Sequence, residues 1–155
     1  MAKYITPTLT ITSNKFDATT NPGPTSSPLA ISVTDTLDVT QVDSNIVTVA
    51  TTDAVLLTAT NYTSGTDAGT DGAFVFLKNL TEGLTVAPNI FIGHNPTGDG
   101  ELEDSGDADE DRLMTLKPGE FAFFPWDMEA DLHVDASVAA DDALEAILFV
   151  RTGTA

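Results

Sequence analysis

The chain contains no cysteine, so it makes no disulfide, holds no metal through thiolate and has no sulfur nucleophile. Basic residues are scarce: six, against 24 acidic ones, for a net charge of −18. Such a chain is repelled by nucleic acid and by anionic membranes, so neither is an expected partner. Histidine occurs twice, at His94 and His133, too few imidazoles for the several-histidine metal site of a cupin-type enzyme. The apolar run at residues 146–150, matched in length by 73–77, falls far short of the roughly 20 residues that span a bilayer. The opening residues show no apolar signal core, and the expectation is synthesis in a cytoplasm without export. There is no G-x-S-x-G elbow, no Walker A loop and no G-x-G-x-x-G between a strand and a helix. No catalytic residue and no cofactor is therefore predicted.

The 155 residues are 41% hydrophobic and 19% charged, which excludes a compositionally disordered chain. A chain of this length buries roughly 70% of the surface its unfolded form exposes, so a core without covalent staples is within reach. Threonine is abundant, and Thr, Val, Ile and Phe dominate the apolar stretches, which favours strands. Residues 4–13 alternate: Ile5, Leu9 and Ile11 face one way, Thr6, Thr8, Thr10 and Thr12 the other. Pro7 has no N–H, which places this strand at a sheet edge or on an arm. Further strands are predicted over 29–34, 46–50, 54–60, 73–79, 85–93, 113–116, 120–126, 131–136 and 143–151, with turn-rich loops at 14–28 and 62–72. A weak helical turn is predicted near 139–144. The fold expected is all-β: one antiparallel β-sandwich or jelly-roll-like domain over residues 1–155, with 1–28 an N-terminal arm and loop.

Three strands break the alternation. Phe74-Val75-Phe76-Leu77, Phe121 to Trp126, and Ala146 to Val150 are apolar on both faces. A strand of a simple sandwich has one wet face, so the second face here needs cover, from a third layer of the chain or from a neighbouring subunit. Phe74, Phe76, Phe121, Phe123, Phe124, Trp126, Ile147 and Phe149 are the predicted oligomer-interface residues. Phe121, Phe123 and Pro125 point one way, and Ala122, Phe124 and Trp126 the other, so one set fills the core and the other faces outward.

The acidic stretch 98–112 gathers carboxylates able to hold a hard cation, and Asp107, Asp109 and Asp111 have the alternate spacing of a calcium loop. Arg112 stands where that loop needs glycine and Pro118 where it needs glutamate, so the pattern fails and a solvated loop is expected. In Asp131-Leu132-His133-Val134-Asp135, period two puts His133 on one face with both aspartates, in the manner of a catalytic or metal trio. The plainer reading is a polar outer strand face over a core made by Leu132 and Val134. His94 reads as part of a turn. Asn61-Tyr62-Thr63 and Asn79-Leu80-Thr81 match the glycosylation sequon by chance. Pro118-Gly119 suits the centre of a type II turn that delivers the aromatic strand to its sheet.

The run from Met114 to Trp126, with Leu116-Lys117-Pro118-Gly119-Glu120-Phe121 at its centre, resembles a class of tailed-phage virion proteins. So do the strand texts Ala73-Phe74-Val75-Phe76-Leu77, Asn89-Ile90-Phe91-Ile92-Gly93, Asp131-Leu132-His133-Val134-Asp135 and the apolar C-terminal strand. The resemblance covers about residues 73–155. It implies a non-enzymatic structural protein of the virion, made in the host cytoplasm, with capsid cement or decoration proteins and tail-associated proteins as the candidates. The leading expectation is a cement or decoration protein bound across subunits of the major capsid protein, and the two-faced apolar strands add the expectation of a homo-oligomer, a trimer suiting a three-fold position in the virion. The alternatives carried from the sequence are a tail-associated or receptor- or carbohydrate-binding module, calcium-dependent through the acidic stretch, and a small cupin-like enzyme.

Overall fold

A computed structural model describes residues 3–12, 30–62, 72–94 and 112–151. These residues form eleven strands and one short 3₁₀ turn. The strands are β1 (Lys3–Ile5), β2 (Thr8–Thr12), β3 (Ala30–Thr34), β4 (Leu37–Val49), β5 (Ala54–Leu57), β6 (Ala73–Asn79), β7 (Ile90–Gly93), β8 (Arg112–Leu116), β9 (Phe121–Trp126), β10 (Leu132–Ala136) and β11 (Ala140–Arg151). The chain is all-β and its strands pair antiparallel, as a sandwich-like domain requires. It divides into two compact units, Met1–Val39 and Thr40–Ala155.

In the first unit β1 pairs with the opening residues of β4, Lys3 with Val39 and Ile5 with Leu37. β2 and β3 form a separate two-stranded ribbon, with Leu9 opposite Val33 and Thr8 opposite Thr34. The two threonine hydroxyls lie 3.2 Å apart. The strand expected over residues 4–13 is thus two strands. It breaks at Thr6-Pro7, where proline has no N–H for a ladder, and the Pro7 carbonyl instead accepts from the Asp35 N–H at 3.2 Å.

In the second unit one sheet runs β4-β11-β6-β9 and another β5-β10-β7-β8. Alternation supplies the core between them. Ala73, Val75 and Leu77 of β6 and Leu144, Ala146, Leu148 and Val150 of β11 pack in one cluster with Ile90 and Ile92 of β7 and Leu132 and Val134 of β10. Burying a leucine or isoleucine of this kind contributes about 1.5–3 kcal/mol.

A polar node locks the end of this core. Asn79 is fully buried and uses its whole side chain: Nδ2 donates to the carbonyls of Pro88 (2.9 Å) and Leu116 (3.0 Å), and Oδ1 accepts from the Thr81 N–H (3.0 Å) and hydroxyl (2.6 Å). The Asn79-Leu80-Thr81 sequence match therefore has a structural meaning: its first and third residues bond each other inside the fold. The Asn79 backbone holds the Pro118-Gly119 turn, giving its N–H to Glu120 and accepting from Gly119. That turn has the expected form, with a Glu120 N–H to Lys117 carbonyl bond of 2.9 Å and Gly119 at φ +81°. A Cβ on Gly119 would lie 2.6 Å from Glu82 Oε2.

Several expected boundaries move. Of residues 85–93 only Ile90–Gly93 are strand. The strand read at 46–50 is the end of a 13-residue strand whose first part is too polar to show an apolar period. The strand read over 54–60 stops at Leu57 and passes into the 3₁₀ turn Ala59–Asn61. The helical turn expected near 139–144 is the start of β11 instead. There Asp142 takes φ +47° and its N–H reaches Thr48 Oγ1, so the local alanines follow the ladder rather than their helix propensity.

Candidate functional site

Strands β11, β6 and β9 place their outward residues in three aligned rows. Phe149, Phe74 and Pro125 form one, Ile147, Phe76 and Phe123 the next, and Glu145, Lys78 and Phe121 the third. The rings meet across the diagonals, within aromatic reach on a pleated face. Phe74 and Phe123 stack at 5.3 Å and 10°, Phe76 and Phe121 at 6.1 Å and 29°, and Phe149 meets Phe123 edge-on at 6.3 Å. Arg151 sits over Phe74, 5.2 Å from its centroid, a cation–π contact at one end of the rows. Mutual stacking leaves Phe74, Phe76, Ile147 and Phe149 half-buried, while Phe121 is 62% exposed and Phe123 39%. Among the described residues β9 ends its sheet, and Pro125 stands on it, the position proline tolerates best.

Six of the eight predicted interface residues therefore share one outward face: Phe74, Phe76, Phe121, Phe123, Ile147 and Phe149. Phe124 and Trp126 do not join them. Both turn inward against the core, and the Trp126 indole N–H donates to the Ala130 carbonyl at 3.1 Å. Alternation separates the two sets of this strand, but sequence alone could not say which set faces outward, because both are apolar.

The second sheet carries a polar cluster. His133 Nδ1 lies 2.7 Å from Asp53 Oδ2, with both side chains largely buried. Asp53 precedes β5, 80 residues upstream, and nothing in its surroundings marked it; the partners expected were Asp131 and Asp135. Asp131 instead accepts the Ala59 N–H at 2.7 Å through its carboxylate, and its carbonyl lies 2.8 Å from His94 Nδ1. Asp135 is buried on β10. Leu132 and Val134 fill the core, as the plainer reading had it, but the opposite face is not an outer one: Asp135 is buried and the His133 side chain largely so, covered in part by the segment that carries Asp53. The pairing ties the segment before β5 to β10, and it orients the imidazole. Arg112, at the start of β8, lies over the Phe91 ring at 5.0 Å. Among the described residues no three His, Asp or Glu side chains cluster to hold a metal ion. Asp107, Asp109 and Asp111 lie outside the described residues.

Burial, and then the Asp43 carboxylate, push the Tyr62 phenol above its ordinary value near 10. Tyr62 packs edge-on against Trp126 at 6.5 Å.

No family model matches the chain, and no curated protein matches it. Among solved structures it is similar to one from Bacillus endospore appendages, described as a novel family of disulfide-linked pili. The identity is 11%, the likeness covers 99% of this chain and 92% of that one, and the TM-score is 0.41, too low to carry anything on fold or function.

Proposed function

We propose that this chain is a non-enzymatic structural protein that assembles through the aromatic face of β11, β6 and β9, in the role of a cement or decoration protein on a tailed-phage capsid. The observation that carries the assembly reading is the exposure of Phe121 and Phe123 at the open side of a stacked aromatic face. Each large apolar side chain left in water forgoes about 1.5–3 kcal/mol of burial. The rings of Phe74 and Phe123 are turned to each other, so the face offers ring edges, suited to apolar packing against protein rather than to flat stacking on a sugar. A homo-oligomer that closes by rotation, a trimer where it suits a three-fold position in the virion, would bind across seams between shell subunits and resist their separation. The capsid role rests on the resemblance in residues 73–155 alone.

Sedimentation velocity on the full chain tests the assembly. An oligomer at micromolar concentration is expected. It should strengthen when salt screens the charge of −18, and Phe121→Ser/Phe123→Ser should weaken it. A stable monomer at moderate salt would sink the reading. For the capsid role, purified particles should carry the chain in many copies spread over the shell; a few copies confined to the tail would refute it.

A further inference from the structure

We propose that the β2–β3 ribbon of one copy docks, through Leu9 and Val33, on the aromatic face of a neighbouring copy. This rests on the reading of that face as an assembly surface and names what covers it: a second copy of this chain, in a head-to-tail contact.

The ribbon has an apolar side of its own. Leu9 and Val33 are cross-strand partners, 51% and 56% exposed, while Thr8 and Thr34 bond on the opposite side. A two-stranded ribbon is marginal by itself and gains most from a surface to lie on. Charge selects it over the rest of the molecule. Three of the 24 acidic residues (Asp17, Asp35, Asp38) and two of the six basic ones (Lys3, Lys15) fall in the first unit, which nets −1; the second nets −17. Neither β2 nor β3 contains a charged residue. The aromatic face is flanked by Lys78 and Arg151, two of the four basic residues of the second unit, with Glu145 the acidic residue in its rows.

Packing two such faces directly together would bring two bodies of −17 into contact. A neutral ribbon meets the face without that repulsion. Each chain then offers one ribbon and one face. A heterologous contact of this kind closes into a ring when the rotation permits, which is the closure a small cyclic oligomer needs.

The test uses two full-length variants, Leu9→Asp/Val33→Asp and Phe121→Asp/Phe123→Asp, all at exposed positions. Native folding is checked by an unchanged Trp126 emission spectrum for the second unit, and by an unchanged far-ultraviolet circular dichroism spectrum and unchanged Tyr4 emission for the first. In sedimentation velocity each variant alone should be monomeric, with association weakened by roughly a hundredfold. Their equimolar mixture should form a heterodimer, because the intact ribbon of one meets the intact face of the other. Assembly of the ribbon variant like the parent would overturn this inference and leave the aromatic face as the assembly surface. Assembly of the face variant like the parent, or a monomeric parent, would overturn both. Failure of the mixture to associate would overturn the head-to-tail contact. The absence of native cysteine allows a second readout. Leu9→Cys and Phe123→Cys copies, mixed and oxidised, should crosslink between chains. An intrachain bond in the dilute double variant would instead put the ribbon on its own face and refute the proposal.

Discussion

The two units hold their strands by different means. In Thr40–Ala155 two sheets enclose aliphatic layers, and that burial offsets the mutual repulsion of a net −17. In Met1–Val39 the net charge is −1, the ribbon turns Leu9 and Val33 to solvent, and Val39 is the hydrophobic residue buried among those described. Backbone ladders and threonine bonds carry more of the load there. The difference teaches that one acidic composition serves two ends: the second unit can bear charge because it has a core, and the first is left nearly neutral where its apolar side stays open.

Core truncation gives the strongest test of that contrast. Leu148→Ala, at a fully buried position of β11, should cost about 2–5 kcal/mol in urea unfolding. Leu9→Ala should stay within about 0.5 kcal/mol for the dilute monomer. Equal losses would break the distinction. Next in size is Asn79→Ala, which strands the carbonyls of Pro88 and Leu116 and the Thr81 donors, and should cost about 2–3 kcal/mol. Asn79→Asp should be worse, since a carboxylate would face those two carbonyls; a neutral result for either would show the node to be replaceable. Gly119→Ala is smaller, about 1–2 kcal/mol, combining a positive φ with a crowded Glu82 carboxylate. Recovery of most of that loss in Glu82→Ala/Gly119→Ala would assign it to the clash.

The smallest effect is a pH dependence confined to the second unit. The folded Tyr62 phenol holds its proton more tightly than the unfolded one. Its contribution is therefore full below about pH 10 and is lost as pH climbs through the raised value. Thermal melts should show the parent falling relative to Tyr62→Phe above pH 10, with a constant difference at pH 7–9 (about neutral to mildly basic). Parallel curves through pH 11 would remove the effect.

Much of the second unit was legible from sequence because its strands are short, apolar and bounded by turn residues. Pro118-Gly119 could be read outright, since proline fixes one torsion and glycine accepts the other. The first half of β4 was not legible: Asp38, Thr40, Gln41, Asp43 and Ser44 carry no apolar period, and their strand conformation comes from tertiary pairing. The aromatic face was legible as an excess of apolar residues, but its inward and outward members were not, for want of a polar face to orient them. Asp53 was illegible because its partner His133 lies on another strand, and no local spacing encodes a contact across 80 residues. Asn79 carried a misleading signal, since a buried Asn–Thr bond two residues apart writes the same letters as a sequon.

Trp126 gives the two units separate optical channels. It is the chain's one tryptophan, and it lies buried in the second unit, so indole emission follows that unit. Of the two tyrosines, Tyr62 lies 6.5 Å from the indole, close enough to pass its excitation on before emitting. Residual tyrosine fluorescence then belongs to Tyr4, exposed on β1 in the first unit. A single cuvette can thus record the melting of both units at two wavelengths with no label attached.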